Sequence, residues 1–399
     1  MKSRKKKLLF VIDSLGIGGA EKSLVTLLNL LDYTQYEVHL QTFAMGREFE
    51  QLLPKEVRLL PQLPYFAYSS LPWKSIWRKV MNPKSMIGQI RYSGAIRMHK
   101  LYHADKAVVQ WLCIRECIDP VNEHYDAAIA YAQGMPAFYV SEKCRARKKA
   151  VWINALYKPE EPYIGFAKRA LFSFDKVNAV SDTVAEQLMS DYGLPENRLM
   201  IIRDILDPGM AQRMARFPSE AEKEMNGPGT RILSVGRLAK CKGYEMAVET
   251  AEILKKSGIP FTWYVVGEGA MRTEIESLIA GKGLTGQFVL LGSRSNPYPY
   301  FAACDIYVQS SLYEGFGITL AEAKMFAKPI VVTDFKTAHD QIRDGENGLI
   351  VGMTPEAIAE GIIRMVRDEE FGKKCKEALR EEKLGNPEEI NKLYKYLKA

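Results

Sequence analysis

Short apolar runs alternate with amphipathic stretches along most of the 399-residue chain. In the first half, residues 8–13, 37–42, 57–60, 127–131, 149–153, 176–180 and 199–202 read as strands. In the second half, residues 231–235, 261–266, 288–291, 306–308, 329–333 and 348–351 do so. Helical periodicity falls between them, at 21–31, 163–174, 182–191, 243–256, 270–282, 319–325 and 355–368. Continuous Val/Ile/Leu strands separated by helices predict βαβ units, with parallel sheets covered on both faces. The alternation breaks across 207–229, where Pro208, Gly209, Pro218, Gly227, Pro228 and Gly229 punctuate polar sequence, so this segment is expected to be a linker. The predicted fold is α/β: two Rossmann-like domains, 1–206 and 230–383, whose parallel sheets face a central cleft. The closing segment, 384–399, reads as a helix that could pack back on the first domain.

Charge adds an asymmetry. Residues 1–206 hold 29 Lys/Arg against 21 Asp/Glu, whereas residues 207–399 hold 26 against 27. The segment 74–106 alone carries eight basic residues (Lys74, Arg78, Lys79, Lys84, Arg91, Arg97, Lys100, Lys106) and one acidic residue, Asp105. Its proline-free stretch, 85–116, predicts one long helix or two, with an imperfect apolar stripe of Ile87, Ile90, Ala95, Met98, Leu101 and Val108. Two readings stand: a solvated helical face, or docking on an anionic membrane surface. No nucleic-acid-binding motif accompanies the charge. No apolar run approaches the ~18 residues of a membrane span. The six cysteines form no C-x-x-C pair, and the short apolar run 8–12 after the basic start is not a signal peptide, so a cytoplasmic protein with free thiols is expected.

Four glycine-containing turns follow predicted strands. Gly16-Ile-Gly18-Gly19-Ala-Glu21 lacks the third glycine of a dinucleotide fingerprint, but it lets a helix N-terminus approach a phosphate or a sugar hydroxyl. Gly236-Arg237-Leu-Ala-Lys240-Cys-Lys242-Gly243 puts cations at a strand's carboxyl end, where they can clamp a diphosphate. The turn at Gly267 would let its loop pass close to the ligand. The fourth turn runs Glu314-Gly315-Phe316-Gly317-Ile318-Thr319-Leu-Ala-Glu322. Its two carboxylates lie eight residues apart, about 80° around one helix, which suits Glu314 in a loop and Glu322 on the helix opened by Gly317. The two would then accept from different hydroxyls of one extended ligand, with the intervening amides meeting a phosphate.

At these residues the chain resembles the retaining glycosyltransferases of family 4, which have the GT-B fold. The E-x7-E pair Glu314 and Glu322, the G-R-L…K-G block with Arg237, Lys242 and Gly243, and the Gly18-Gly19 loop follow the family's order. The resemblance implies that Arg237 and Lys242 hold the donor diphosphate and neutralise the leaving group. It implies that Glu322 binds the ribose and that Glu314, with Gly315, Phe316 and Gly317, holds the transferred sugar. Ile318 and Thr319 continue that donor loop, Gly236 and Gly267 line it, and Arg294, in the loop 293–296, lies near the base. Gly18 and Gly19 face the diphosphate and acceptor. Many members carry a His near the end of a middle strand of the first domain. Here the matching stretches hold Gln133 and Asn154 instead.

These residues lead to the expectation of a hexosyltransferase moving sugar from a nucleotide-diphosphate sugar, a UDP-sugar by family weight, to a glycan or lipid-linked saccharide in cell-surface polysaccharide synthesis. The absence of D-x-D fits metal independence, and no cofactor or metal is expected. A cytoplasmic protein is expected, held at the inner face of the cell membrane on the docking reading of the basic segment. The alternatives are a nucleotide-sugar epimerase of similar fold and a degenerate nucleotide-sugar-binding partner subunit.

Overall fold

The computed structural model describes residues 4–16, 18–70, 83–98, 103–154, 161–217 and 219–398. The chain forms two compact units: residues 1–204 with 388–399, and residues 205–387. The first holds β1 (Lys6–Ile12), β2 (Tyr36–Thr42), β3 (Val57–Leu59), β4 (His124–Ala130), β5 (Arg145–Ile153), β6 (Lys176–Ala179) and β7 (Leu199–Ile201). They form one parallel sheet in the order β3-β2-β1-β4-β5-β6-β7. The second unit holds β8 (Thr230–Val235), β9 (Phe261–Val266), β10 (Phe288–Gly292), β11 (Ile306–Gln309), β12 (Ile330–Thr333) and β13 (Leu349–Val351). Their order is β10-β9-β8-β11-β12-β13, again parallel throughout. Each strand matches one of the expected apolar runs. In each sheet the order reverses once, between β1 and β4 and between β8 and β11. Ligands of open α/β sheets bind outside the carboxyl ends of strands at such reversals.

The segment expected to be a linker, 207–229, belongs instead to the second unit. Asp207 caps the helix Pro208–Ala215 by accepting from Met210 N at 3.2 Å, with Pro208 in its first turn. A short helix, Ala221–Glu224, follows, and Ala211, Ala221 and Met225 are buried. Pro208, which read as punctuation in the sequence, opens a helix capped by Asp207.

The last helix, Ile390–Lys398, packs into the first unit through Ile390, Leu393 and Leu397. Tyr394 stacks on Tyr36 with ring centroids 5.8 Å apart. Two lysines of the sheet, Lys6 and Lys148, donate to the carbonyls of Leu397 and Tyr396 at 2.7 and 3.0 Å. Cations on the last carbonyls of a helix satisfy acceptors that have no partner inside it.

The basic stretch gives two helices, Pro83–Met98 and His103–Ile114. Lys74, Arg78, Lys79, Lys100 and Leu101 lie outside the described residues, as does the Met98 side chain. Of the expected stripe, Val108 is buried, but Ile87 and Ile90 are 47% and 62% exposed. The first helix buries Ser85 and Gly88 instead, with Gly88 pressed against Cys117 Sγ. Close approach to a neighbouring element selects the small residues for the inside and leaves the isoleucines in water.

Candidate functional site

At the β8/β11 reversal, Ser234 in β8 donates to Val308 O at 2.7 Å and accepts from Trp263 Nε1 at 3.0 Å. The loops leaving these two strands then zip together. Leu312 N donates to Cys241 O at 2.8 Å, and Ser310 Oγ donates to Lys242 O at 2.9 Å. Gly243 adopts φ +62°, and a Cβ there would lie 2.1 Å from Ser310 O, so only glycine permits this contact. Gly267 allows the neighbouring loop the same intimacy, since a Cβ would fall 1.9 Å from Gly236 O.

The result is a direct ion pair between two residues given separate tasks above. Lys242 Nζ lies 2.5 Å from Glu314 Oε1, with both side chains mostly buried. The same oxygen accepts from Ser311 Oγ at 2.7 Å and from Gln309 Nε2 at 2.8 Å. Three donors on one oxygen fix the Glu314 carboxylate in one orientation. The ammonium, with three protons, can keep Glu314 and still reach an anionic ligand. Arg237 is exposed on the same loop and lies within electrostatic reach of the Tyr313 hydroxyl.

Behind Glu314 the chain turns through Gly315 and Phe316 to Gly317, which caps the helix Ile318–Met325 with φ +81°. Gln341 Nε2 donates to the carbonyls of Phe316 and Gly317, and Thr337 Oγ1 donates to Glu314 O at 3.2 Å. The loop is therefore fixed from its inner side, and the first-turn amides of the helix offer a positive end. Ile318 is buried, while Thr319 donates to Gln309 Oε1 at 3.3 Å. Glu322 lies deeper than a loop carboxylate. It is 1% exposed and hydrogen-bonded by Tyr298, whose phenol is pushed well above its ordinary pKa by burial and by that carboxylate.

Arg294 is engaged inside the protein. It pairs with Glu224 at 2.6 Å and donates from Nε to Tyr300 OH at 2.8 Å, and Tyr300 in turn reaches Glu224 at 2.5 Å. Asn296 Nδ2 donates to Met214 O at 2.8 Å. The loop expected near the base is thus tied to the two helices of the segment 207–229.

In the first unit, Gly18 precedes the helix Gly19–Leu30 with extended backbone, φ −165°. The Glu21 carboxylate folds over it, so closely that a Cβ at Gly18 would sit 2.1 Å from Oε2. A carboxylate already covers the helix start expected to meet a diphosphate. That favours hydroxyl groups over phosphate at Gly18 and Gly19. Beside β4 and β5, Asn154 N donates to Gln133 Oε1 at 2.9 Å, and Asn154 Nδ2 donates to Tyr131 O at 2.8 Å. Asn154 Oδ1 is buried and has no hydrogen-bond partner among the described residues.

The structure thus gathers Arg237, Lys242, Glu314 and the Gly315–Thr319 turn in one place and leaves Glu322 beneath it. Gln309, Ser311, Thr337 and Gln341 are supporting residues that sequence reasoning missed. Gln309 and Ser311 lie in a polar run, 309–311, that follows an apolar run, while Thr337 and Gln341 carry no such signal.

Comparison with known proteins agrees with this geometry. The family model described as glycosyl transferases group 1 matches residues 217–382. Over 384 residues the chain is 24% identical to a Campylobacter jejuni protein, N-acetylgalactosamine-N,N'-diacetylbacillosaminyl-diphospho-undecaprenol 4-alpha-N-acetylgalactosaminyltransferase, covering 93% of each chain. Sucrose-phosphate synthase from Thermosynechococcus elongatus has a similar fold, with a TM-score of 0.71 at 17% identity over 98% of this chain and 99% of that one. Anabaena HepE, solved in complex with UDP, gives 0.67 at 17% identity over 98% of both chains. The two parallel sheets and these likenesses make the fold GT-B. Over residues 217–382 the chain is similar to the glycosyl transferases of group 1.

Proposed function

We propose that the protein transfers a hexose from a UDP-sugar to a lipid-linked saccharide, with retention of anomeric configuration and without a metal ion. The observation that carries this reading is the Lys242–Glu314 pair at the β8/β11 reversal, flanked by Arg237 and the amides after Gly317. The cations suit a diphosphate, and the fixed carboxylate suits a sugar hydroxyl. Charge stabilisation of the departing diphosphate supplies most of the rate, with Lys242 and Arg237 compensating the charge that grows on it. Glu314 is fixed through Oε1 by three protein donors, which suits it to orient the sugar through one of its hydroxyls. A leaving phosphate that takes the acceptor's proton on the same face would give retention without a protein nucleophile.

The acceptor class draws support from the Campylobacter relative, whose name specifies a diphospho-undecaprenol saccharide. It also draws support from the helix Pro83–Met98. The exposed Ile87 and Ile90 are bordered there by exposed Lys84, Arg91 and Arg97, which suits the headgroup layer of an anionic membrane at the cytoplasmic face. Among the described residues no helix is long and apolar enough to cross a membrane. Where many family members have a His, the buried Asn154 Oδ1 could accept a sugar hydroxyl but could not take a proton as a base. The test is UDP release from a panel of UDP-sugars, with and without EDTA, followed by NMR of the anomeric configuration in the product. Retained configuration and EDTA resistance are expected. Inversion or strict metal dependence would refute the corresponding part of the proposal.

A further inference from the structure

Gln309 closes β11 and is 5% exposed. Its amide oxygen accepts from Tyr307 OH at 2.9 Å and from Thr319 Oγ1 at 3.3 Å. Its amide nitrogen donates to Glu314 Oε1 at 2.8 Å. The amide's orientation is not arbitrary. An ionised carboxylate can only accept, so the NH₂ must face Glu314 and the carbonyl must face the two hydroxyls. Those hydroxyls come from β11 and from the first turn of the helix Ile318–Met325, so the amide is clamped by both elements that flank the loop.

From this we infer that Gln309 is a positioning residue for the donor sugar, holding Glu314 Oε1 so that Oε2 is left for a hydroxyl of the transferred hexose. Lys242, Ser311 and Gln309 all donate to Oε1, and none of the three donates to Oε2. Lys242 alone would let the carboxylate swing with the flexible ammonium. Ser311 and Gln309 approach from the protein side and stop that motion. The inference rests on the donor reading above and adds a residue outside the motifs that define it.

The test compares wild type, Gln309→Leu and Gln309→Glu. UDP and UDP-sugar affinities are measured by calorimetry, and kcat/KM is measured across pH 5–9. Gln309→Leu is expected to bind UDP within about twofold of wild type and to lose about 10- to 100-fold in kcat/KM for the UDP-sugar. Gln309→Glu sets two carboxylates face to face, so they share a proton. When protonated, the introduced carboxyl donates as the amide did. The activity of this variant is therefore expected to approach wild type near pH 5.5 and to fall as pH rises toward 8, unlike the wild-type profile. Melting curves establish that both variants are folded. Folded variants with an unchanged pH profile and a UDP-sugar kcat/KM within twofold of wild type would overturn the positioning role. Wild type that binds UDP but gains nothing from the attached sugar would overturn it too, leaving nucleotide recognition intact. Wild type that binds neither ligand would instead overturn the donor reading, and this inference with it.

Discussion

At the scale of single residues, buried polar groups divide into those that form the site and those that set stability. Glu314 and Gln309 are each held by several directed hydrogen bonds. Asp204 is held less well. It is buried, its carboxyl is pushed up to about 7 by that burial, and the opposing hydrogen bond from Ser23 is too weak to restore it. Ser23 in turn meets Tyr131 OH at 2.9 Å. In the unfolded chain the same carboxyl titrates near ~3.9. Folded protein therefore binds the Asp204 proton more tightly. This contribution favours folding most below about pH 4, weakens between about 4 and about 7, and is gone above that range. Asp204→Asn keeps the shape without the charge. It is expected to raise Tm at pH 8 by at least ~2 °C while leaving Tm at pH 4 nearly unchanged, as thermal melts across pH would show. An equal effect at both pH values would contradict a titrating Asp204.

At the scale of elements, the helix Ile390–Lys398 completes the first unit although it is the last segment of the chain. Leu393 is fully buried there. Leu393→Ala should cost about 2–5 kcal/mol in urea-induced unfolding, the range for emptying a buried leucine site. A change below ~0.5 kcal/mol would mean that the helix does not dock in solution. The helix Pro83–Met98 carries the other prediction at this scale. Wild type should co-sediment with vesicles containing anionic lipid, less so as salt rises, because surface charge is screened. Replacing Lys84, Arg91 and Arg97 with Gln should weaken binding on the order of 100-fold. Each cation near the surface contributes on the order of 1 kcal/mol. Salt-independent binding, or binding unchanged in the triple variant, would refute membrane docking.

At the scale of the whole molecule, sequence was most informative where structure is local. Among the described residues the thirteen strands fall on apolar runs, most of them buried by parallel pairing, and such runs are legible without partners. The helix Met135–Lys143 was not legible, because Met135 to Val140 are all buried and no amphipathic period survives. The helix Glu369–Glu381 hides its buried Phe371, Cys375 and Leu379 among charges. At the site, Arg237, Lys242 and Glu314 could be found because they lie in motifs at strand ends. Their mutual geometry could not. Lys242 and Glu314 are 72 positions apart and meet only because β8 and β11 are neighbours at the reversal. The Glu21 carboxylate over Gly18 was equally invisible, since a side-chain rotamer decides it.

The central claim is that Lys242, locked to Glu314, stabilises the departing diphosphate of a sugar nucleotide. The most direct measurement is sugar transfer from a UDP-sugar panel to a lipid-linked saccharide, comparing wild type with Lys242→Ala. The expected result is a glycosylated acceptor from at least one UDP-sugar, with turnover reduced at least ~100-fold in the folded variant, the scale of losing one preorganised charge-stabilising group. Near-normal turnover in Lys242→Ala, or epimerised donor with no glycosylated acceptor from wild type, would contradict it.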